Sequence, residues 1–427
     1  MSKLLFITYN LITFFLVPFV YIKLRYSKKE ICHGTAAKQL LGIVPKRDYK
    51  KPVWIHTVSV GEAQGALSLI KKLANSHPNQ QFVVTTTTAT GKNVYKNIPE
   101  NVSHLYCPLD NYFCVRKFFN SVKPKALIIM ETELWPNILK TASNHNIKTT
   151  IINARLSNKS CNSYLKIKNN FYHLITKNIT KILCQNDNDK SNFLKLGFTN
   201  EQIKVFGSLK YDIEINEEKR KIGEAIKNKS LDKNVVCFAS THIGEDEKII
   251  SKISDKDSKI PNNTIFLIIP RHPERFEEVY KLSSSKFKDT IKFTDIQKND
   301  YVIPNNTKII IGDTMGDMIT YFSFSDIVFM GGSLITRGGH NPIEPAFLHK
   351  AILTGPHIFN FKQVYKDLQE NNACILSSEE SFIEDINVLL EDTNKRLILE
   401  NNAYNTIIKN QGAIVKTFKE LEEIYKF

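Results

Sequence analysis

Short apolar runs recur along the chain, separated by polar stretches long enough for helices, and they fall into two series. Residues 53–58, 81–86, 126–130, 149–152 and 181–184 form the first series. Residues 235–239, 264–269, 308–311, 326–330 and 351–353 form the second. Strands alternating with helices predict βαβ units, a parallel sheet covered by helices on both faces. The segment 213–233 is charged, has no strand character and is expected to carry the crossing between the halves. The chain therefore reads as α/β, two doubly wound halves facing each other across a cleft. No solenoid-type repeat or low-complexity segment interrupts this pattern.

The last strand before the richest loop, residues 326–330, is apolar enough to be covered on both faces. After it come two glycine pairs, Gly331-Gly332 and Gly338-Gly339, then His340, Asn341, Pro342 and Glu344. Asn341 followed by Pro342 predicts a helix opening at about Asn341, with an N-cap and proline at the first helical position. Glycines let backbone approach a ligand, and a helix start attracts anions, so this loop is expected to hold a phosphate. Glu344, one turn in, is placed to accept hydrogen bonds from sugar hydroxyls. A plain strand-to-helix turn would also use one glycine pair; two pairs with His, Asn and Glu argue for a site.

In open parallel sheets, ligand groups lie just past the carboxyl ends of strands. Glu62, Glu131 and Glu133, Asn153 and Arg155, His242 and Glu245, and Arg271 and His272 all come after apolar runs in this way. Together they point to one interdomain site. Within Ser59-Val60-Gly61-Glu62, the glutamate at a strand-to-helix turn can take a proton from an attacking hydroxyl. It equally suits a first-turn glutamate complementing the helix dipole. Glu131-Thr132-Glu133-Leu134-Trp135-Pro136-Asn137 suggests one acid aimed into the cleft and a rigid turn fixing it, with helix-start chemistry as the alternative. Arg271, between Pro270 and His272-Pro273, offers a guanidinium fork to a phosphate or carboxylate. Gly312 to Asp317 adds glycines and backbone donors after another strand. Lys210, ending the first half, can balance charge on a leaving phosphate, or is simply a solvated lysine.

Composition narrows the class. The 427 residues suffice for two domains, and 42% hydrophobic with 24% charged residues is ordinary for a globular body. The net charge of +15 implies an anionic partner, or a general lysine bias, since the lysines are scattered. Without an RNA-binding signature, zinc-finger spacing or arginine-rich block, nucleic acid is not the expected partner. Seven widely spaced cysteines without a C-x-x-C pair indicate neither disulfide framework nor zinc site, and a reducing compartment. H-E-x-x-H, P-loop, G-x-G-x-x-G and nucleophile-elbow motifs are missing, so no metal is expected and group transfer from an activated donor remains.

The amino terminus differs from the rest. From Leu4 to Ile22 no residue is charged, and then come Lys23, Arg25, Lys28 and Lys29. This length approaches a single membrane span, and the positive flank places the chain beyond Lys23 in the cytoplasm. Asn10 and Pro18 weaken a span and favour a helix lying in the interface. Both readings tether the chain to the cytoplasmic leaflet.

The motifs from Ser59 to Glu62, Thr85 to Gly91, Glu131 to Asn137, Asn153 to Ser157, Gly207 to Lys210, Pro270 to Arg275, Gly312 to Asp317 and Gly331 to Ala346, with Gly355-Pro356-His357 and Asn360-Phe361, closely resemble the Kdo transferases. These are the 3-deoxy-D-manno-octulosonic acid transferases of lipopolysaccharide synthesis, and the resemblance covers nearly the whole chain. It implies a GT-B fold: a membrane anchor over residues 1–27, a Rossmann-like acceptor domain over 28–212, a crossing over 213–233 and a Rossmann-like donor domain over 234–427, the last helix packing back on the first domain. It implies metal-independent, inverting transfer of Kdo from CMP-Kdo to lipid IVA at the inner membrane, without a cofactor. By the same resemblance Glu62 is the base acting on the 6'-hydroxyl, and Glu131 and Lys210 stabilise the transition state. CMP contacts fall on Pro270, Arg271, Met315, Gly316, Asp317, Asn341, Pro342, Ile343 and Glu344.

The sequence departs from the family pattern at Asp317, where Glu is usual, at Ala89, where Pro is usual, and at Asn111-Tyr112, where a proline often comes after the aspartate. The acceptor is a bis-phosphorylated lipid, so the lysines between Lys23 and Lys51 are expected to face an anionic membrane surface. Another GT-B enzyme acting on a UDP-sugar, or an epimerase, is the alternative.

Overall fold

The computed structural model describes residues 2–25, 34–166, 179–230 and 232–427. It divides into two compact units, one built from residues 1–212 and 411–427, the other from 213–410. Each holds a seven-stranded parallel sheet.

The first sheet comprises β1 (Val53–His56), β2 (Phe82–Thr86), β3 (Val102–Tyr106), β4 (Ala126–Met130), β5 (Lys148–Ala154), β6 (Ile179–Cys184) and β7 (Ile203–Val205), in the order β3-β2-β1-β4-β5-β6-β7. Its central strands are buried on both faces, and successive residues feed different cores. Trp54, Leu127 and Ile129 join Phe118, Phe119 and Leu139 on one side. Val53, Ile55, Ile128 and Met130 join Leu69, Ile70 and Leu73 on the other. The second core also takes Ala413, Ile414 and Leu421 from the last helix, Ala413–Tyr425. The return of the chain is fixed by Asp212, whose carboxylate accepts the backbone N–H groups of Gly412 and Ile414.

The second sheet comprises β8 (Asn234–Thr241), β9 (Thr264–Pro270), β10 (Thr290–Lys292), β11 (Ile309–Ile311), β12 (Ile327–Met330), β13 (Ala351–Thr354) and β14 (Ile375–Leu376), in the order β10-β11-β9-β8-β12-β13-β14. Residues 213–233, expected as the crossing, belong to this unit. They carry the helix Glu217–Asn228, whose Gly223 lies so close to Thr320 and Ser323 that an added Cβ would meet them at 2.5 Å. The charged sequence hid a packing face narrowed to a glycine and Ile226.

The apolar amino terminus forms one helix, Ser2–Arg25. Leu4, Ile7, Leu11, Phe15 and Phe19 are exposed on it. No helix among the described residues is long and apolar enough to cross a membrane. The helix touches the first unit through Phe14 against Phe113 and through the Tyr9 hydroxyl, which donates to Asp110 at 2.7 Å. Asp110 also accepts the N–H groups of Asn137 (3.1 Å) and Ile138 (2.9 Å), capping a helix whose own cap position, Trp135, supplies no side-chain bond. Lys28 and Lys29 lie outside the described residues.

Candidate active site

Strand order reverses near the middle of each sheet, between β1 and β4 in the first and between β8 and β12 in the second. Loops diverge at such a point and leave a crevice beyond the strand ends. The candidate residues gather there, in one cluster within each unit.

In the first unit, Glu62 opens the helix Val60–Ser76 after β1 and is 7% exposed. It completes a capping box with Ser59. Its Oε2 accepts the Val58 N–H at 2.9 Å, and its Oε1 accepts the Ser59 N–H at 3.2 Å and the Ser59 hydroxyl at 2.9 Å. Helix capping and the position expected of a general base thus fall on one side chain, and Oε2 retains capacity for another donor. Burial raises the carboxyl above its ordinary value; the donors from Val58 and Ser59 oppose this, and the charge of Glu131 adds to it.

Glu131 comes just after β4 with φ 58°, a left-handed conformation that costs a non-glycine residue about 1–2 kcal/mol. This turn directs its carboxylate to Lys210, whose Nζ donates to Oε1 at 3.2 Å. Lys210 is held in turn by Asn153, itself at φ 51°, whose Oδ1 accepts the Leu209 N–H at 3.0 Å. Gly65 packs against Met130, since a Cβ there would stand 3.2 Å from its Cε, and lies beside the Lys210 stem. Glu133 completes the group. Its carboxylate accepts the Trp135 indole N–H at 2.6 Å, and burial, then the charge of Glu62, raises its pKa to about 7. The motif resemblance assigns a role to Glu131 and none to Glu133; the β4 turn brings the charges of both acids to bear on Glu62 and on each other.

The second cluster corrects the expectation for the glycine loop. The N–H groups of Gly332, Ser333 and Leu334 are already taken by the buried carboxylate of Glu245, at 2.7, 3.1 and 3.0 Å. An internal glutamate fills the nest expected to cradle phosphate. The next helix spans only Ile343–Phe347, and Pro342, not Asn341, is its cap residue. The Asn341 side-chain Oδ1 accepts the Ile343 N–H at 3.1 Å. Pro342 and Ile343 are buried, leaving Asn341 and Glu344 to present polar atoms, and burial raises the Glu344 carboxyl.

What the loop presents is a pair of imidazoles. The rings of His242 after β8 and His340 after β12 lie in nearly parallel planes, 8° apart, and meet edge to edge with their Nε2 atoms 2.9 Å apart. Burial first, and then nearby positive groups, lower both to about 4. Arg271, after β9, is exposed and has no ion pair among the described residues, whereas Pro270 is buried as the last residue of β9. Asp317 is bound by Lys219 Nζ at 2.9 Å and by the Thr314 hydroxyl at 2.5 Å, and Lys219 also reaches the Gly316 carbonyl at 2.6 Å. Met315 beside them is exposed. Sequence alone assigns no separate role to His340 and none to Lys219; position after the switch-point strand was the available signal for the histidine, and none marked the lysine.

Residues 35–213 match the family described as "3-Deoxy-D-manno-octulosonic-acid transferase (kdotransferase)". The 3-deoxy-D-manno-octulosonic acid transferase of Haemophilus influenzae is 37% identical over 369 residues, 85% of this chain and 84% of its own. That of Rickettsia bellii is 32% identical over 416 residues, covering 94% and 96%. Among solved structures, UDP-GlcNAc 2-epimerase from Neisseria meningitidis shares the fold at a TM-score of 0.55 and 15% identity, covering 87% of this chain and 100% of that one.

Proposed function

Since the chain belongs to the 3-deoxy-D-manno-octulosonic acid (Kdo) transferase family, glycosyltransferases of lipopolysaccharide synthesis, we propose that it moves Kdo from CMP-Kdo to the 6'-hydroxyl of lipid IVA. The observation that carries the reading is Glu62: a buried carboxylate of raised basicity beside an ion-paired Glu131 and Lys210, at the switch point of the first sheet.

The reaction is a single inverting displacement. Oε2 of Glu62 takes the hydroxyl proton as the acceptor oxygen attacks the anomeric carbon, and the bond from that carbon to the CMP phosphate breaks. The raised pKa makes Glu62 a better base than an exposed carboxylate. Lys210, oriented by Glu131 and Asn153, supplies positive charge where negative charge grows, without reorganising. No metal is required by this scheme. On the donor side, Arg271 offers an exposed guanidinium to phosphate, Glu344 a carboxylate to ribose, and Met315-Gly316-Asp317 with Lys219 a polar edge. Asp317 is one methylene shorter than the usual Glu, and Lys219 and Thr314 hold its carboxylate in place. The exposed apolar face of helix Ser2–Arg25 tethers the enzyme to the cytoplasmic face of the inner membrane, where an anionic surface and the lipid acceptor meet the basic chain.

The test is transfer from CMP-Kdo, generated in situ, to lipid IVA, with products resolved by mass and Glu62→Ala as control. Kdo increments that vanish in the variant support the assignment and count the units added. A folded wild-type protein that yields no product, or that prefers UDP-sugars to CMP-Kdo in a binding assay, rejects it.

A further inference from the structure

Outside the groups given a role above, the cationic surroundings of the His242–His340 pair are the least expected feature of the second unit. A 2.9 Å contact between two Nε2 atoms holds when one ring donates its hydrogen and the other accepts it, so the rings behave as one group sharing one hydrogen. Gly332 makes the arrangement fit: a Cβ there would stand 3.2 Å from His340 Nε2 and 3.3 Å from His242 Cδ2. The Tyr365 hydroxyl fixes the His340 backbone by donating to its carbonyl at 2.9 Å.

The charges facing this pair are almost all positive. Arg271 and His272 come after β9, with the His272 ring 5.4 Å from that of His242, and Arg337 comes from the loop after β12. Arg271 and Arg337 have no ion pair among the described residues. The acids nearby have partners of their own: Glu245 four backbone N–H groups, Asp246 Arg275 and Thr241, and Glu274 the Nδ1 of His272 at 4.0 Å. Two guanidinium groups, Arg271 and Arg337, without an ion pair among the described residues beside a shared-hydrogen pair make this corner a receptor for an anion.

We propose that His242 and His340 form the oxyanion seat of the donor, binding an oxygen of CMP-Kdo and taking up one proton from solvent as the anion arrives. The proposal rests on the Kdo-transferase reading and specifies where that donor's charge is met. Before an anion binds, burial and the neighbouring guanidinium groups keep both rings neutral. An oxyanion cancels part of that positive field, and the rings gain a proton and a charge-assisted hydrogen bond. Affinity is therefore predicted to rise as pH falls from about 8 towards 6, since binding consumes a proton.

Titration calorimetry of the full chain in two buffers of different ionisation enthalpy tests this. Cytidine 5'-methyl phosphate serves as the phosphate probe, because a diester has no second ionisation of its own, free Kdo serves as the carboxylate probe, and cytidine is the uncharged control. Uptake of about one proton with either anion supports the seat, and the anion that elicits it identifies which donor oxygen is bound. His340→Asn and, separately, His242→Asn are expected to abolish the uptake and weaken that anion about tenfold, with cytidine binding and thermal midpoint unchanged. Wild-type binding without proton uptake, or variants that bind the anions as the wild type does, would overturn the seat while leaving Kdo transfer standing. Failure of the wild type to bind cytidine and its phosphate at all would instead count against CMP-Kdo as donor.

Discussion

At the ends of β1 and β4 Glu62 is accompanied by two further carboxylates, Glu131 and Glu133, and by Lys210; at the ends of β8, β9 and β12 the ionisable groups are imidazoles and guanidinium groups above a carboxylate buried in backbone donors. The two sheets share a switch-point architecture, yet the first residues after the switch strands give sites of opposite sign. One physical effect acts in both. Burial disfavours charge, so it raises Glu62 and Glu133 and lowers His242 and His340. On the acidic side the result is carboxylates of raised basicity; on the basic side it is a neutral imidazole pair, proposed above to acquire charge with an anion. Fold supplies the crevice, and the sign of the neighbours decides its use.

The contrast can be broken most sharply at Glu62. Glu62→Gln keeps a capping-box residue but removes the base, so kcat should fall by about 10²–10⁴ while the thermal midpoint stays near wild type. Glu62→Ala should lose both, and a Gln variant retaining transfer would reduce Glu62 to a cap. Next in size is Lys210→Ala, expected to lower kcat by about 10²–10³ with CMP affinity, read by calorimetry, unchanged. The reverse signature belongs to the basic side: Lys219→Ala, which frees Asp317, should raise KM for the donor about tenfold and spare kcat in steady-state assays.

The smallest effect is one of stability. Glu133 has its folded pKa raised from the ordinary 4.5 to about 7. Between those values the folded chain holds the proton more tightly than the unfolded chain, so this group's contribution is fully present at low pH and is lost as pH rises towards 7. Glu133→Gln should flatten that part of the pH profile in denaturant melts, and an unchanged slope would show Glu133 to be solvated.

The ten runs read as strands correspond to the ten inner strands of the two sheets. The four that pattern did not reveal, β3, β7, β10 and β14, are the four sheet edges. Their positions are only partly buried, so they carry polar residues such as Ser103, Lys204 and Lys292 where an inner strand carries Ile or Val. Inner strands announce themselves because both faces must be apolar; edges need not. The candidate site divides in the same way. The placing of Glu62 and Glu131 together was legible because acids after apolar runs obey the strand-end rule, whereas Lys210 comes after the edge strand β7 and was marked only by the Gly207 to Lys210 motif. The seat of Glu245 in the glycine loop was not legible, because a backbone nest looks the same in sequence whether a ligand or a distant glutamate fills it. The His242–His340 contact joins residues 98 apart and depends on β8 lying beside β12.

The return of residues 411–427 to the first unit sets an order on biosynthesis. The ribosome makes all of the second unit before it reaches Ile414 and Leu421, which close one face of the first unit's core. Until then Leu69, Ile70 and Leu73 lack part of their cover, and Lys204 and His77 lack Glu420 and Glu422. The half of the chain that emerges first is thus the last to be completed, and a transcript cut short by a few codons would leave that half open while the later half stands finished.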